Sequence, residues 1–166
     1  MPGYRVTLEA GGTQYEFRTN RDGSLVLPAA GLPPASARRV TYLWPSRIPG
    51  RLAVQQQGSS ADDTAFVLEL AEPGGGQFRA TIIGGQTPRA IDQAGGVGGQ
   101  PVTVRSQPGQ AYSTGAGYAL YWVEDGQPLA IVSGLGLQDV VTLAEGLEEV
   151  DLPEWQQRLA VEGGSR

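Results

Sequence analysis

The sequence contains no cysteine, no histidine and no lysine. Without them the chain has no disulfide or thiol chemistry, and it has no nucleophile pair of the Ser-His, Cys-His or Ser-Lys type. Zinc and copper sites would lack their usual histidine and cysteine ligands, and a phosphate-binding loop would lack its lysine. We therefore expect no cofactor and no metal centre, and only carboxylate chemistry remains open to an enzyme.

Long hydrophobic runs are also missing. No stretch reaches the roughly 18 apolar residues that a membrane-spanning helix needs, so no membrane span is predicted. The net charge is −5, and all 12 basic residues are arginines. An acidic chain with scattered arginines offers no basic surface to a phosphate backbone, so nucleic acid is not an expected partner.

Glycine and proline are abundant, with 25 and 12 copies in 166 residues. That composition is typical of short strands joined by many turns. The first such strands form a hairpin, in which apolar residues alternate around the turn Gly11-Gly12, and a third short strand follows at 25–27. We predict an N-terminal β-hairpin unit at 1–27, a Pro/Ala-rich linker at 28–38, a main domain at 39–160 and a frayed tail at 161–166.

The main domain shows a series of short strands. They are predicted at 40–44, 52–54, 65–71, 78–83, 102–104, 110–113, 118–123 and 129–132. The dipeptide Asp125-Gly126 indicates a tight hairpin between the last two. Residues 58–63 and 107–110 are predicted to be a loop and a turn. The glycine-rich stretch at 84–101 is predicted to be a loop, either a lid over a cleft or simply mobile.

One amphipathic helix follows the strands. A single apolar stripe at helical spacing predicts it over 137–150, after Gly136 as N-cap. Pro153 is expected to block its extension, and residues 154–159 can add a final turn. The stripe consists of Leu137, Val140, Val141, Ala144, Leu147 and Val150. The predicted fold class is therefore α+β and β-rich, with an antiparallel sheet, one C-terminal helix packed on it, and an N-terminal β-hairpin.

Three stretches resemble the C-terminal signature of a bacterial extracytoplasmic domain family of unknown function, often attached to anti-sigma factors or found in secreted lipoproteins. They are an aromatic strand ending in a Trp and an acidic turn (117–126), a return strand ending in Ser-Gly (131–136) and a helix (137–147). Residues 102–112 and 44–52 are similar to its upstream segments. The resemblance covers about 40–150, and it departs at Gly146, where the family has a small polar residue.

The resemblance implies an extracytoplasmic location and no assigned activity. Residues 2–27 resemble a short β segment of secreted bacterial proteins, which implies the same location. The first residues, Met1-Pro2-Gly3-Tyr4, do not begin a signal peptide. A secreted or envelope-attached protein would therefore be represented here without its leader.

Two adjacent pairs of carboxylates are the candidates for catalysis. They are Asp62-Asp63 and Glu148-Glu149. Neighbours along a strand or helix diverge rather than converge on a substrate, so we favour solvated surface roles. Calcium would need a denser array of acidic residues than these pairs and Asp125 supply, so ordinary turn chemistry is favoured there.

The aromatic strand at 118–123 supplies the candidate binding surface. Tyr118, Leu120 and Trp122 share one face of this strand, and Tyr121 lies on the other. Core packing is the favoured interpretation, and the alternative is a ligand or partner surface formed by Tyr118, Leu120, Tyr121 and Trp122. Because the helix covers only one face of the sheet, the second face would expose apolar side chains unless the N-terminal hairpin or another chain covers it.

These observations favour a non-enzymatic extracytoplasmic module for binding or regulation. A protein or an apolar small molecule is the possible partner. Two alternatives stay open: a carrier or sensor of an apolar ligand such as a lipid, held between sheet and helix, and a carboxylate-based hydrolase.

Overall fold

The computed structural model describes residues 4–10, 13–19, 26–28, 40–76, 78–85 and 97–163, the first three ranges through their backbone only. The chain divides into two compact units, residues 1–38 and 39–166.

The described residues of the first unit form a three-stranded antiparallel sheet. Its strands are β1 (Tyr4–Ala10), β2 (Thr13–Thr19) and β3 (Val26–Pro28), in the order β1-β2-β3. The hairpin and the third strand lie where the alternating pattern predicts them. Pro28, the first residue of the predicted linker, is the last residue of β3. The rest of that linker lies outside the described residues.

The described residues of the second unit form a seven-stranded antiparallel sheet, a two-stranded sheet and two helices. Its elements are β4 (Tyr42–Pro45), β5 (Ala53–Ala61), β6 (Phe66–Ala71), β7 (Arg79–Gly84), β8 (Val97–Val104), β9 (Gln107–Ser113), β10 (Tyr118–Glu124), β11 (Gln127–Ser133), α1 (Leu137–Glu145), β12 (Leu147–Val150) and α2 (Leu152–Glu162). The larger sheet has the order β5-β6-β7-β11-β10-β9-β8, and β12 pairs with β4. The predicted β-rich α+β fold class is confirmed.

The core lies between one face of the large sheet and the elements packed on it. Alternate residues of the strands are inaccessible to solvent there, and α1 adds Val140, Leu143 and Ala144. Trp44 of β4 and Trp155 of α2 meet edge to face, with ring centroids 5.7 Å apart. Phe66 of β6 lies 6.4 Å from Trp155. Aromatic rings therefore join the two-stranded sheet and α2 to the large sheet.

The prediction of a single helix over 137–150 is wrong at the C-terminal end of the helix. The helix α1 stops at Glu145, and β12 carries Leu147 and Val150 into pairing with Pro45 and Tyr42 of β4. Glycine at 146 disfavours helix propagation. The strand pairing buries the same apolar residues that complete the helical stripe, so tertiary contacts decide between the two structures.

A second helix then begins at Leu152. Asp151 is its N-cap, and the Asp151 carboxylate accepts a hydrogen bond of 2.8 Å from the backbone N–H of Glu154. Pro153, which we expected to block a helix, lies in the first turn of α2, where a missing N–H costs nothing. The helix runs to Glu162, beyond the start of the predicted frayed tail, and residues 164–166 lie outside the described part of the chain.

Three predicted loops also differ from the structure. β5 continues through most of 58–63, with a register irregularity between Gln55 and Ser60. The turn predicted at 107–110 lies earlier, at Arg105-Ser106, whose φ angles are +49° and +63°. In the glycine-rich segment, β8 begins at Val97, and residues 86–96 lie outside the described ranges.

In the part of the chain that the structure describes, no helix combines the length and the apolar character needed to cross a membrane.

Candidate functional site

The four predicted surface residues of β10 do not form one surface. Leu120 and Trp122 are 0% exposed and belong to the core, which is the packing that the sequence favours for them. Tyr118 is half-buried and packs against the same core. Tyr121, also half-buried, lies on the opposite face of the strand. The alternation of the strand was predicted correctly, but three of the four side chains are on its core side.

The side of the large sheet opposite the core, which we call the outer face, is mostly apolar. Strand register aligns two rows of side chains across the five strands from β6 to β9. One row is Val67, Ile83, Ala130, Tyr121 and Gln110, and the next is Glu69, Thr81, Val132, Ala119 and Tyr112. Beyond Tyr121 on β10 lies Val123, which is 41% exposed. Glu69 is the one charged residue in the two rows.

Two tyrosines occupy the β9–β10 end of the outer face. A Cβ atom at Gly99 would lie 2.9 Å from Cε1 of Tyr112, so this ring covers the glycine of β8. Burial raises the pKa of the Tyr121 hydroxyl, and the neighbouring Tyr112 raises it further. Both effects keep Tyr121 neutral, which adds no charge to the outer face.

A network around Arg105 joins four elements on the other side of the domain. The guanidinium binds both carboxylate oxygens of Glu124, with Nε–Oε2 at 2.8 Å and Nη2–Oε1 at 3.0 Å. Its Nη1 donates to the carbonyl of Leu147, and its backbone N–H donates to Glu145 at 2.6 Å. Trp122 Nε1 donates to Glu124 Oε2 at 3.2 Å. We call this network the Arg105 clasp.

The clasp borders an open cleft of about 220 Å³, part of which is bulk solvent. The cleft is lined by Thr41, Leu43, Glu124, Asp125, Gln127, Leu129 and Glu149. Gln127 closes one side, because its amide both accepts from and donates to the backbone of Thr41, at 2.7 and 2.9 Å. The enclosed space within it is about 10 Å³, which is room for about one water molecule, so this cleft is small for a ligand.

The cleft carboxylates are a poor acid–base pair. Burial alone would raise the pKa of Glu124, but hydrogen bonds from Arg105 and Trp122 outweigh burial and lower that pKa. A general acid needs the opposite shift. Among the described residues, no group of three or more His, Cys, Asp or Glu side chains is placed to hold a metal ion.

The two carboxylate pairs of the sequence have separate roles. Asp62 accepts hydrogen bonds from the N–H and hydroxyl of Thr64 and from the N–H of Ala65, which lower its pKa. Glu148 binds Arg158 of α2, whereas Glu149 lines the cleft. Successive residues of β12 point to opposite sides, so Glu148 and Glu149 diverge as predicted.

The lowered pKa of Glu124 predicts a loss of stability in acid. Its folded-state pKa lies below the ordinary 4.5, so the stabilisation is complete above that value and disappears as pH falls through the folded pKa. We expect Glu124→Gln to be less stable than the wild type at pH 7, and this gap to shrink as the pH is lowered from 7 to below 4.5. Urea unfolding across that range measures the gap, and a gap that stays constant would contradict the assignment.

Comparison with known protein families, with curated proteins and with solved structures finds no match to this chain. The resemblance of residues 40–150 to the extracytoplasmic family therefore stays a prediction, together with the location that it implies.

Sequence reasoning missed both the Arg105 clasp and most of the outer face. In β6, Val67 stands between Phe66 and Leu68, so an unbroken apolar run signals a strand with apolar residues on both faces. The clasp has no such signal, because its residues are distant in sequence and meet only through strand pairing.

Proposed function

We propose that this chain is a non-enzymatic extracytoplasmic binding or regulatory module, and that its outer face binds a protein partner. The apolar rows across β6, β7, β11, β10 and β9 carry this proposal. An antiparallel sheet with one face on the core usually presents polar side chains on the other. The half-buried apolar side chains in that place, together with the 41% exposed Val123, favour an interaction site.

The composition of the outer face favours a protein as the partner. Ala119 and Ala130 are 0% and 3% exposed and form a floor of small side chains. Tyr112 and Tyr121 pair with these alanines across the strands, and Val123 lies two residues beyond Tyr121 on β10. Interface centres are depleted in charge and enriched in tyrosine, and rigid aromatic side chains supply much of the binding energy. The extracytoplasmic location rests on the family resemblance alone.

The two alternative functions have less support. A carrier of an apolar ligand needs a continuous apolar cavity between sheet and helix, whereas Trp44, Trp155 and Phe66 pack against one another there. A carboxylate hydrolase needs a protonated acid near neutral pH, and the pKa of Glu124 is shifted the other way.

The proposal predicts that one charge on the outer face weakens partner binding. Val123→Asp should weaken binding at least about tenfold, because an unpaired carboxylate would be desolvated in the interface. It should change stability little, since Val123 is 41% exposed. A photo-crosslinking residue at position 123 first identifies the partner in cells, and calorimetry with the purified partner then gives the affinity of each variant.

Val161→Asp is the matched control, because it makes the same chemical change on α2 at a side chain that is 65% exposed. It should leave the affinity unchanged. Wild-type affinity in Val123→Asp would rule out the outer face as the interface. A lipid-sized mass that accompanies the chain in native mass spectrometry, and leaves on denaturation, would instead favour the carrier.

A further inference from the structure

Among the described strands, the large sheet ends on one side at β8, which has β9 as its neighbour. An edge strand of this kind presents backbone N–H and C=O groups to which another chain can add a strand. The opposite edge, β5, differs. Its register shifts between Gln55 and Ser60, and the C-terminal end of α2 lies beside it, since a Cβ atom at Gly163 would be 2.9 Å from the backbone nitrogen of Gln56.

Strand register shows which backbone groups of β8 face outward. Val104 and Gln107 are paired and flank the two-residue turn Arg105-Ser106. The closing pair of such a hairpin exchanges both of its backbone hydrogen bonds, and bonding and non-bonding pairs then alternate along the strands. Val102 therefore bonds to β9 like Val104, whereas the backbone groups of Thr103 and Pro101 point away from β9 to the open edge.

Proline at position 101 removes a hydrogen-bond donor from this strand edge. It has no N–H, so residue 101 presents only its carbonyl to an incoming strand. Its ring is exposed. Further along, the register between β8 and β9 shifts between Val97 and Gln100, which interrupts the regular edge. Thr103 is then the one outward-facing residue between 100 and 104 that presents both a donor and an acceptor.

We infer that Pro101 prevents β8 from pairing with β8 of a second copy of this chain. In an antiparallel pair centred on Val102, residue 101 of one copy lies opposite Thr103 of the other, and each such pair exchanges two hydrogen bonds. Proline removes one bond from each pair and places its ring where the second backbone must approach. The inference concerns the strand edge and is independent of the partner proposed for the outer face.

The direct test is Pro101→Thr, which restores the missing N–H with a strand-favouring residue. We expect its self-association constant, measured by sedimentation velocity up to about 0.5 mM, to exceed that of the wild type at least about tenfold. In concentrated samples the Thr103 amide should become protected from hydrogen exchange. Circular dichroism and Tm check that Pro101→Thr is folded. If Pro101→Thr does not fold, Pro101→Ala provides the same comparison, because alanine also restores the N–H.

A second proline supplies the control. Because the Thr103 N–H points away from β9, Thr103→Pro in the Pro101→Thr background removes no bond within the sheet. This double variant should return to the association state of the wild type. If Pro101→Thr associates no more strongly than the wild type, or if adding Thr103→Pro does not reverse the increase, Pro101 does not prevent pairing at this edge.

Discussion

Replacing Arg105 with methionine should lower the free energy of unfolding by about 2–4 kcal/mol at neutral pH. Removing one member of a fully buried ion pair costs about 3–5 kcal/mol, because the remaining charge stays desolvated. The side chains of Arg105 and Glu124 are 17% and 19% exposed, so some solvent reaches them and the expected loss is smaller. Methionine keeps much of the apolar stem, which limits the change to the lost charge and hydrogen bonds. Urea unfolding at pH 7 measures the loss.

Two further variants separate the clasp from ordinary surface electrostatics. Adding Glu124→Gln to Arg105→Met should recover part of the loss, because the amide leaves no unpaired charge. Arg158→Met breaks ion pairs with Glu148 and Glu154, whose side chains are 44% and 46% exposed, and should cost at most about 1 kcal/mol. An Arg105→Met loss as small as that of Arg158→Met would mean that the clasp does not stabilise the fold.

Truncating Trp155 to alanine should cost about 3–5 kcal/mol, as large-to-small changes in well-packed cores do. Trp155 is 1% exposed, and it is the one buried residue of α2. Without its contacts to Trp44 and Phe66, α2 loses its anchor. We therefore expect lower stability in urea and faster hydrogen exchange along residues 152–162 than in the rest of the core.

Phenylalanine substitutions provide a matched comparison for this prediction. Trp155 Nε1 has no hydrogen-bond partner among the described residues, whereas Trp122 Nε1 donates to Glu124. Both changes remove the same volume, but Trp122→Phe also removes a bond to a charged group, worth about 1.5–3 kcal/mol. Trp155→Phe instead removes a buried donor that lacks a partner. Trp122→Phe should therefore be the more destabilising variant, and the reverse order would contradict the assigned hydrogen bonds.

The β10–β11 hairpin shows what local sequence can predict. Alternating residues on both sides of Asp125-Gly126 specify the strands, and the turn residues, with φ angles of +49° and +77°, specify the connection. The pairing of Tyr118 with Ser133 and of Glu124 with Gln127 follows from these two signals. Local information is sufficient here because both strands and their turn are consecutive.

The strand β12 shows where local sequence fails. Leu147 and Val150 fit a helical stripe as well as they fit a strand, and only β4 distinguishes the two. The same limit applies to the candidate site. Strand alternation predicts that Tyr121 lies opposite Leu120 and Trp122, but which face is buried depends on what packs on the sheet. The apolar rows of the outer face depend on the register of five strands, which no single strand contains.

The prediction of the turn between β8 and β9, which lies at Arg105-Ser106, failed for a different reason. The segment Gln107-Pro108-Gly109-Gln110 carries the stronger turn residues, yet it lies within β9. Non-glycine residues at positive φ are uncommon, so a turn built from arginine and serine has little local signal. The Arg105 clasp stabilises the turn through tertiary contacts. Glu145 accepts a hydrogen bond from the Arg105 backbone N–H, and Glu124 and the carbonyl of Leu147 bind its side chain.

The pairing of β4 with β12 has a consequence during synthesis. Ser46 donates its hydroxyl hydrogen to the carbonyl of Gly146, a residue 100 positions later in the chain. Ribosomes add about 5–20 residues per second, so β4 waits roughly 5–20 s for the strand that pairs with it. Leu43 and Trp44, both buried in the finished domain, have no β12 to cover them during that interval. The nascent chain therefore exposes these apolar side chains until β12 has emerged.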